Sequence, residues 1–435
     1  MRQLSPDKID LFGSVGAKLA TMIPAAILGL FATRTIMVEY GAEGFAVYTL
    51  ILSIPLLLPF ADLGIGGAIT EVVSRRAILG NSVVYHRINR AAVSLAIIGF
   101  AIVTISFILS YFNLWNKALG LSSNDAGLAA TIAASTFGAG IPLVLGYRVL
   151  LGLQLNRLVV LLQGIAGIAG SALVIPAAML LAPLWLIAVI PSGLALVGAA
   201  AAATIARNRL RVAAQKEDDG GQPQSNLPSI SRLAIPMAVI AIATPISYQS
   251  DRLILANFSS PVEVATYAAA FQLYGPLNAV LVSAGQALWP RLTHLRVSMA
   301  GNIQRLVGTY SLQFGLVALS AGTVLVVFGG LVTDWSTGGK AGSPISLSIC
   351  FGLLLVVNAC QYPFGMFMMD RRSLALQAGM IALMAVAKIP LGVVLTGVLG
   401  AVGPVLATVI SFLTIVLLPS FLWCRYRWKV GNRGE

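Results

Sequence analysis

Residues 158–206 read "LVVLLQGIAGIAGSALVIPAAMLLAPLWLIAVIPSGLALVGAAAAATIA", an almost unbroken apolar run without a single charge. As one helix it would extend roughly 74 Å, against a bilayer core of roughly 30 Å. The run therefore has to reverse, and Ala182-Pro183 supplies the break. The stretch 373–424 poses the same problem, and "GVLGAVGP" (397–404) supplies glycines and a proline for a second tight reversal. Two helical hairpins follow from length alone.

The same pattern recurs from end to end. Of the 435 residues 58% are hydrophobic and 10% charged, where a soluble domain carries about 25% charged residues. Apolar windows bounded by charges or turn residues fall near 13–38, 44–73, 90–112, 127–151, 157–181 and 184–206. A second set falls near 232–257, 262–290, 305–330, 344–369, 373–396 and 400–424. The expected fold class is an all-α polytopic membrane protein of about twelve transmembrane helices. The N-terminal stretch "MRQLSPDKIDLFGSVGAKLA" has no compact apolar core followed by a small-residue cleavage site, so the first helix is expected to stay.

A net charge of +13 would suggest nucleic acid in a soluble protein. Its distribution argues otherwise. With the N-terminus placed in the cytoplasm, all of the 28 Lys and Arg residues except Arg34, Lys117, Arg252, Lys340 and Lys388 fall in cytoplasmic segments. This is the positive-inside pattern, with both termini cytoplasmic. No nucleic-acid partner is expected.

The longest polar stretch, "RNRLRVAAQKEDDGGQPQSNLPSIS" (207–231), mixes charge with Gly, Gln, Pro and Ser and reads as a flexible linker. It divides the chain into an N-terminal six-helix lobe (1–206) and a C-terminal six-helix lobe (232–435). An internal echo supports this division. "RTIMVEYGAEGFAVYTL" places Arg34, Glu43 and Tyr48 after the first helix, and "RLILANFSSPVEVATYAAAFQL" places Arg252, Glu263 and Tyr267 after the seventh. Equal span counts before each copy make the repeats parallel, with a pseudo-twofold axis along the membrane normal and a cleft between lobes.

Charges inside apolar helices cost about 2.5 to 3.5 kcal/mol at mid-bilayer and mark functional candidates. Lys388, in "LALQAGMIALMAVAKIPLGVVLT", is the deepest cation. It either faces substrate or a partner within its lobe, or it snorkels part of the way outward. Arg34 and Arg252 lie nearer the outer surface. Snorkelling or a carboxylate partner explains them, and so does a pair of guanidiniums lining the central cleft to hold an anionic group. Asp62 is open to a proton- or ion-coupling role and to helix capping or packing. Glu71 stands four residues before Arg75, at helical ion-pair spacing.

Metal and disulfide chemistry find no pattern. Cys350 and Cys360 would lie roughly 15 Å apart on one helix, beyond disulfide reach, and Cys424 stands alone. His86 and His294 have no Cys or acidic cluster nearby. "GIGG" (64–67) follows no strand, so a phosphate loop is excluded. No paired carboxylates or nucleophile–base pair stand out, and the outer loops are short. The expectation is a transporter without cofactor, not an enzyme.

Three stretches resemble the polysaccharide-transport branch of the multidrug/oligosaccharidyl-lipid/polysaccharide exporter superfamily, the Wzx-type O-antigen and exopolysaccharide flippases. They are Arg34 followed by "EYGAEGFAVYTL", "DLGIGGAITEVVSRRAILGN" (62–81) and "GYRVLLGLQLNR" (146–157). The chain departs from the family at Glu39-Tyr40-Gly41-Ala42, where a Leu-Gly-Pro turn is common. The resemblance implies a flippase of the bacterial inner membrane. It would move an undecaprenyl-pyrophosphate-linked oligosaccharide from the cytoplasmic to the outer leaflet by alternating access, among membrane lipids and alongside a polysaccharide polymerase and chain-length machinery. A cationic central cavity would then hold the head group, with Arg34, Arg252 and Lys388 as candidates and Asp62 for coupling. The rival reading is a cation-coupled multidrug-type antiporter of the same superfamily.

Overall fold

The computed structural model describes residues 6–57, 69–70, 72–73, 80–119, 124–215, 231–297, 303–339, 342, 344–368 and 371–431. Asp62 and the linker residues 216–230 lie outside them. The described residues build helices and the turns between them. Contacts divide the chain into two compact units, Met1–Glu39 with Val47–Ile230, and Tyr40–Ala46 with Ser231–Glu435.

The chain begins with α1 (Pro6–Leu57), a helical run broken at Gly41, whose φ of 70° and ψ of −172° suit glycine; all of it but Tyr40–Ala46 belongs to the first unit. The break divides α1 between the first two expected spans. Next come α2 (Asn81–Tyr111), a short α3 (Leu114–Leu119), α4 (Asn124–Gly152), α5 (Asn156–Met179) and α6 (Leu184–Gln215). The second unit holds α7 (Ser231–Phe258), α8 (Pro261–Val297), α9 (Ile303–Thr337), α10 (Ile345–Phe367) and α11 (Arg371–Leu399). It closes with α12 (Val402–Ser411), which runs through a π turn (Phe412–Leu417) into α13 (Leu418–Gly431). Among the described residues nine helices are long and apolar enough to cross a membrane. Splitting α1 at Gly41 and adding α7 and α8 gives the twelve spans expected.

Both hairpins reverse at the expected places. Between α5 and α6, Leu181 takes φ 52°. The Ala182 N–H donates to the Ala177 carbonyl at 3.1 Å and the Leu181 N–H to Ala178 at 3.0 Å, a Schellman end that satisfies the last carbonyls of α5. Between α11 and α12 the left-handed residue is Gly400, φ 56°. There the Ala401 N–H donates to Glu263 Oε2 at 2.5 Å, so the first turn of α8 ties down the hairpin. The stretch expected as linker opens in helix. Arg207 to Gln215 continue α6, because Arg, Ala and Gln are good helix formers and a helix need not stop where the apolar window does.

Lipid offers helices no hydrophobic reason to associate, so close approach has to supply the attraction. In the first unit small residues provide it. A Cβ placed on Gly146 of α4 would lie 2.3 Å from the Ala203 nitrogen of α6, and one on Gly99 of α2 would lie 2.2 Å from the Gly138 carbonyl oxygen of α4. At the end of the unit that carries the α4–α5 turn, Val73, Val84, Leu150 and Leu210 join an apolar cluster. On the outer faces α2 exposes Val93, Ile97 and Phe100, and α9 exposes Leu316, Val327 and Leu331, as lipid contact requires. Cys424 is fully buried beside Val307 and Met380.

Candidate functional site

The deepest cation sets the geometry of the second unit. Lys388 stands in mid-α11, two residues before Pro390, and is 0% exposed. Its ammonium lies 2.7 Å from Asp251 Oδ1 of α7. It also donates to the Ser247 carbonyl one turn earlier on α7, and stands 5.9 Å from the centroid of the Tyr248 ring. The Tyr267 hydroxyl of α8 donates to the other carboxylate oxygen, Asp251 Oδ2, at 3.1 Å. One buried carboxylate thus joins three helices.

A chain of neutral groups continues from this pair. Tyr248 donates to Asn358 Oδ1 of α10 at 2.8 Å, and Asn358 Nδ2 donates to the Tyr274 oxygen of α8 at 2.8 Å. Tyr362 of α10 donates to Asn278 Oδ1 of α8 at 2.9 Å. Tyr267, Phe271, Tyr274 and Phe351 pack around it, with neighbouring ring centroids 5.2 to 6.2 Å apart. Arg252 is also buried. Its guanidinium carbon stands 5.2 Å from the Phe271 centroid, at cation–π distance.

Lys388 is therefore not extended toward the outer surface; its charge is turned inward and met by Asp251. A pair removed from water this completely holds only when each ion is bonded on several sides. Here the ammonium has a carboxylate, a carbonyl and a ring, and the carboxylate has an ammonium and a phenol. Arg252 follows Asp251 in the chain, but adjacent helical residues diverge by about 100° and do not face each other. The structure gives the carboxylate to Lys388.

Arg34 is half-buried in α1, next to buried Thr33 and Ile36, and Tyr48, its partner in the echo, is buried as well. Arg34 and Arg252 belong to different units, and each is placed within its own. Among the described residues no three His, Cys, Asp or Glu side chains gather as metal ligands would.

Sequence reasoning passed over Asp251 as a site residue. The usable signal was the need of Lys388 for an acid on another helix, and α7 carries one within the run "SYQSDR" (247–252). Tyr248, Tyr267, Tyr274 and Asn358 gave no such signal, since polar residues at single helical positions are common in any bundle.

No curated protein sequence matches the chain. Among solved structures it is similar to the lipid II flippase MurJ in an inward closed conformation, with a TM-score of 0.70 at 15% identity, covering 94% of this chain and 87% of that one. It is also similar to an inward-facing multidrug resistance MATE family transporter of the MOP superfamily, with a TM-score of 0.62 at 15% identity, covering 96% and 98%. A MATE in complex with MaD3S follows, with a TM-score of 0.55 at 16% identity, covering 98% and 97%. At these identities the likeness is one of fold. The family is shown by the sequence itself: the polysaccharide biosynthesis protein model matches residues 14–296, and the chain belongs to the polysaccharide biosynthesis protein family.

Proposed function

We infer that the protein is a flippase for a lipid-linked glycan. It carries an undecaprenyl-pyrophosphate-linked oligosaccharide from the cytoplasmic to the outer leaflet of a bacterial inner membrane, with both of its own termini in the cytoplasm. The family match over residues 14–296 carries this reading. The fold similarity to a lipid II flippase supports it. The division into lobes at 1–206 and 232–435 belongs to the same reading.

The chemistry asks for fixed cations that meet a pyrophosphate while the lipid tail stays in the bilayer. Arg34 and Arg252 fill that role, as the guanidiniums that the echo places at matching points of the two halves. Lys388 is the third cation of this proposal, held between α11 and α7 by its pair with Asp251. Asp62 remains the coupling residue of this proposal.

Replacing Arg34 or Arg252 with Ala should abolish glycan export at unchanged expression. A lipid-linked intermediate should then collect in the cytoplasmic leaflet, as it should when the protein is deleted. Normal export by both variants would remove the arginines from the mechanism. The fold shared with MATE transporters keeps an antiporter as the second reading. Ion-driven extrusion of a cationic dye by the purified protein in vesicles would favour it.

A further inference from the structure

The first unit gathers cations at the end marked by the α4–α5 turn. Arg87 and Arg90 of α2, Arg157 of α5, and Arg207, Arg209 and Arg211 of α6 are all exposed there. No acid of α2, α4, α5 or α6 offsets them: from Asn81 to Gln215 the sequence holds one, Asp125, at the far end of α4. Val84 of α2 and Ala206 and Leu210 of α6 sit in one apolar cluster with Leu150, which holds the extension of α6 against the start of α2. The Tyr85 hydroxyl is hydrogen-bonded to the side chains of Asn89, one turn along α2, and of Arg207, and Arg211 is near enough to act on it electrostatically. A phenol of α2 thus steadies a guanidinium of α6.

Where the apolar windows stop sets the depth of these cations. Arg90 and Arg87 precede Ala91 by one and four residues, Arg157 precedes Leu158 by one, and Arg207, Arg209 and Arg211 follow Ala206 by one, three and five. At about 1.5 Å per residue, all six fall within the head-group layer, about 5 to 8 Å thick on each side of the hydrocarbon. Two of the helices carry the charge directly below a lipid-facing stripe. Arg87 and Arg90 continue the face of α2 that exposes Ser94, Ile97 and Phe100, and Arg211 stands two and four turns from exposed Thr204 and Val197.

A free phosphate would use none of these apolar stripes, and an acidic protein segment would have to enter the head-group layer to reach the arginines. A zwitterionic phospholipid brings a cation with every phosphate and leaves them uncompensated. We propose that this end of the first unit seats anionic phospholipid, with phosphates against Arg87, Arg90, Arg207 and Arg211 and chains along the exposed stripes of α2 and α6. The seat does not depend on the glycan export inferred above; the topology of that reading only names the leaflet, the cytoplasmic one.

The test is native mass spectrometry of the full chain in neutral detergent, titrated with phosphatidylglycerol or with phosphatidylcholine. Phosphatidylglycerol should stay bound under conditions that strip phosphatidylcholine. One arginine near an anionic surface is worth about fivefold in binding. The quadruple variant Arg87→Gln, Arg90→Gln, Arg207→Gln, Arg211→Gln should therefore lower phosphatidylglycerol occupancy about tenfold or more. Arg87→Lys, Arg90→Lys, Arg207→Lys, Arg211→Lys keeps the charge and should keep most of the lipid. In the second unit, Arg305→Gln with Arg425→Gln removes two exposed arginines and should change nothing, which separates a seat from basic charge in general. Equal retention of the two phospholipids overturns the proposal, as do wild-type binding by the glutamine variant, a loss from the lysine variant as large as from the glutamine one, and an equal loss from the second-unit pair. Full displacement by an equal amount of a glycan-free polyprenyl phosphate overturns the assignment to bulk phospholipid.

Discussion

In the first unit helices meet glycine to backbone, Gly146 against Ala203 and Gly99 against Gly138. In the second, a lysine, an aspartate and a chain of tyrosine and asparagine side chains join α7, α8, α10 and α11. The contrast is sharp at the echoed positions. Arg34 and Arg252 correspond, yet the residue before the first is Thr33 and the residue before the second is Asp251. Lys388 sits in the fifth helix of its half, whereas α5, the fifth helix of the other, carries no charge beyond Arg157. In the second half the residue before the arginine is one member of a buried ion pair. Close packing needs nothing but small residues, while a buried charge also needs a counter-charge on a second helix. The second half, where Gly403 of α12 also meets the α11 backbone at Leu395, is open to both kinds of change.

The largest effect should come from breaking the ionic side. Lys388→Met leaves Asp251 without its counter-charge and should cost about 3 to 5 kcal/mol, read as a lower melting temperature in detergent. Adding Asp251→Leu should restore most of the loss, because matched apolar replacements of a buried pair are close to neutral. A double variant no more stable than the single one would show that the two ions do not act as a pair. On the packing side, Gly146→Val drives a branched side chain into the α6 backbone and should cost about 1 to 3 kcal/mol; an unchanged melting temperature would mean that α4 and α6 part freely. The smallest effect sharpens the comparison at the matched turns. Leu181 (φ 52°) holds the left-handed position that Gly400 (φ 56°) holds in the other half. Leu181→Gly, at a residue 64% exposed, should raise stability by about 1 kcal/mol, and a fall would mean that the leucine makes contacts worth more than the strain it bears.

Helix number and both hairpin turns were legible because they follow from length against bilayer thickness and from turn residues, each readable within a short window. The end of α6 was less so: Arg207, Arg209 and Arg211 mark where the apolar span stops, but the backbone continues as helix through them to Gln215. The break at Gly41 lay between the first two expected spans, although no proline marks it. The partner of Lys388 was hidden for a different reason. Helical periodicity reports which face a residue shares on its own helix and says nothing of which other helix turns toward it. Ser247 and Lys388 are 141 residues apart in the chain, and only folding brings them together.

That separation also orders events during synthesis. At about 5 to 20 residues per second, the 141 residues between Ser247 and Lys388 take about 7 to 28 s to make. Asp251 thus reaches the membrane well before the lysine that will neutralise it has been translated. A chain cut short ahead of α11 carries an acid in a helix built for an ion pair, which makes it a ready substrate for membrane quality control, while a chain that reaches α11 completes the site by its own length.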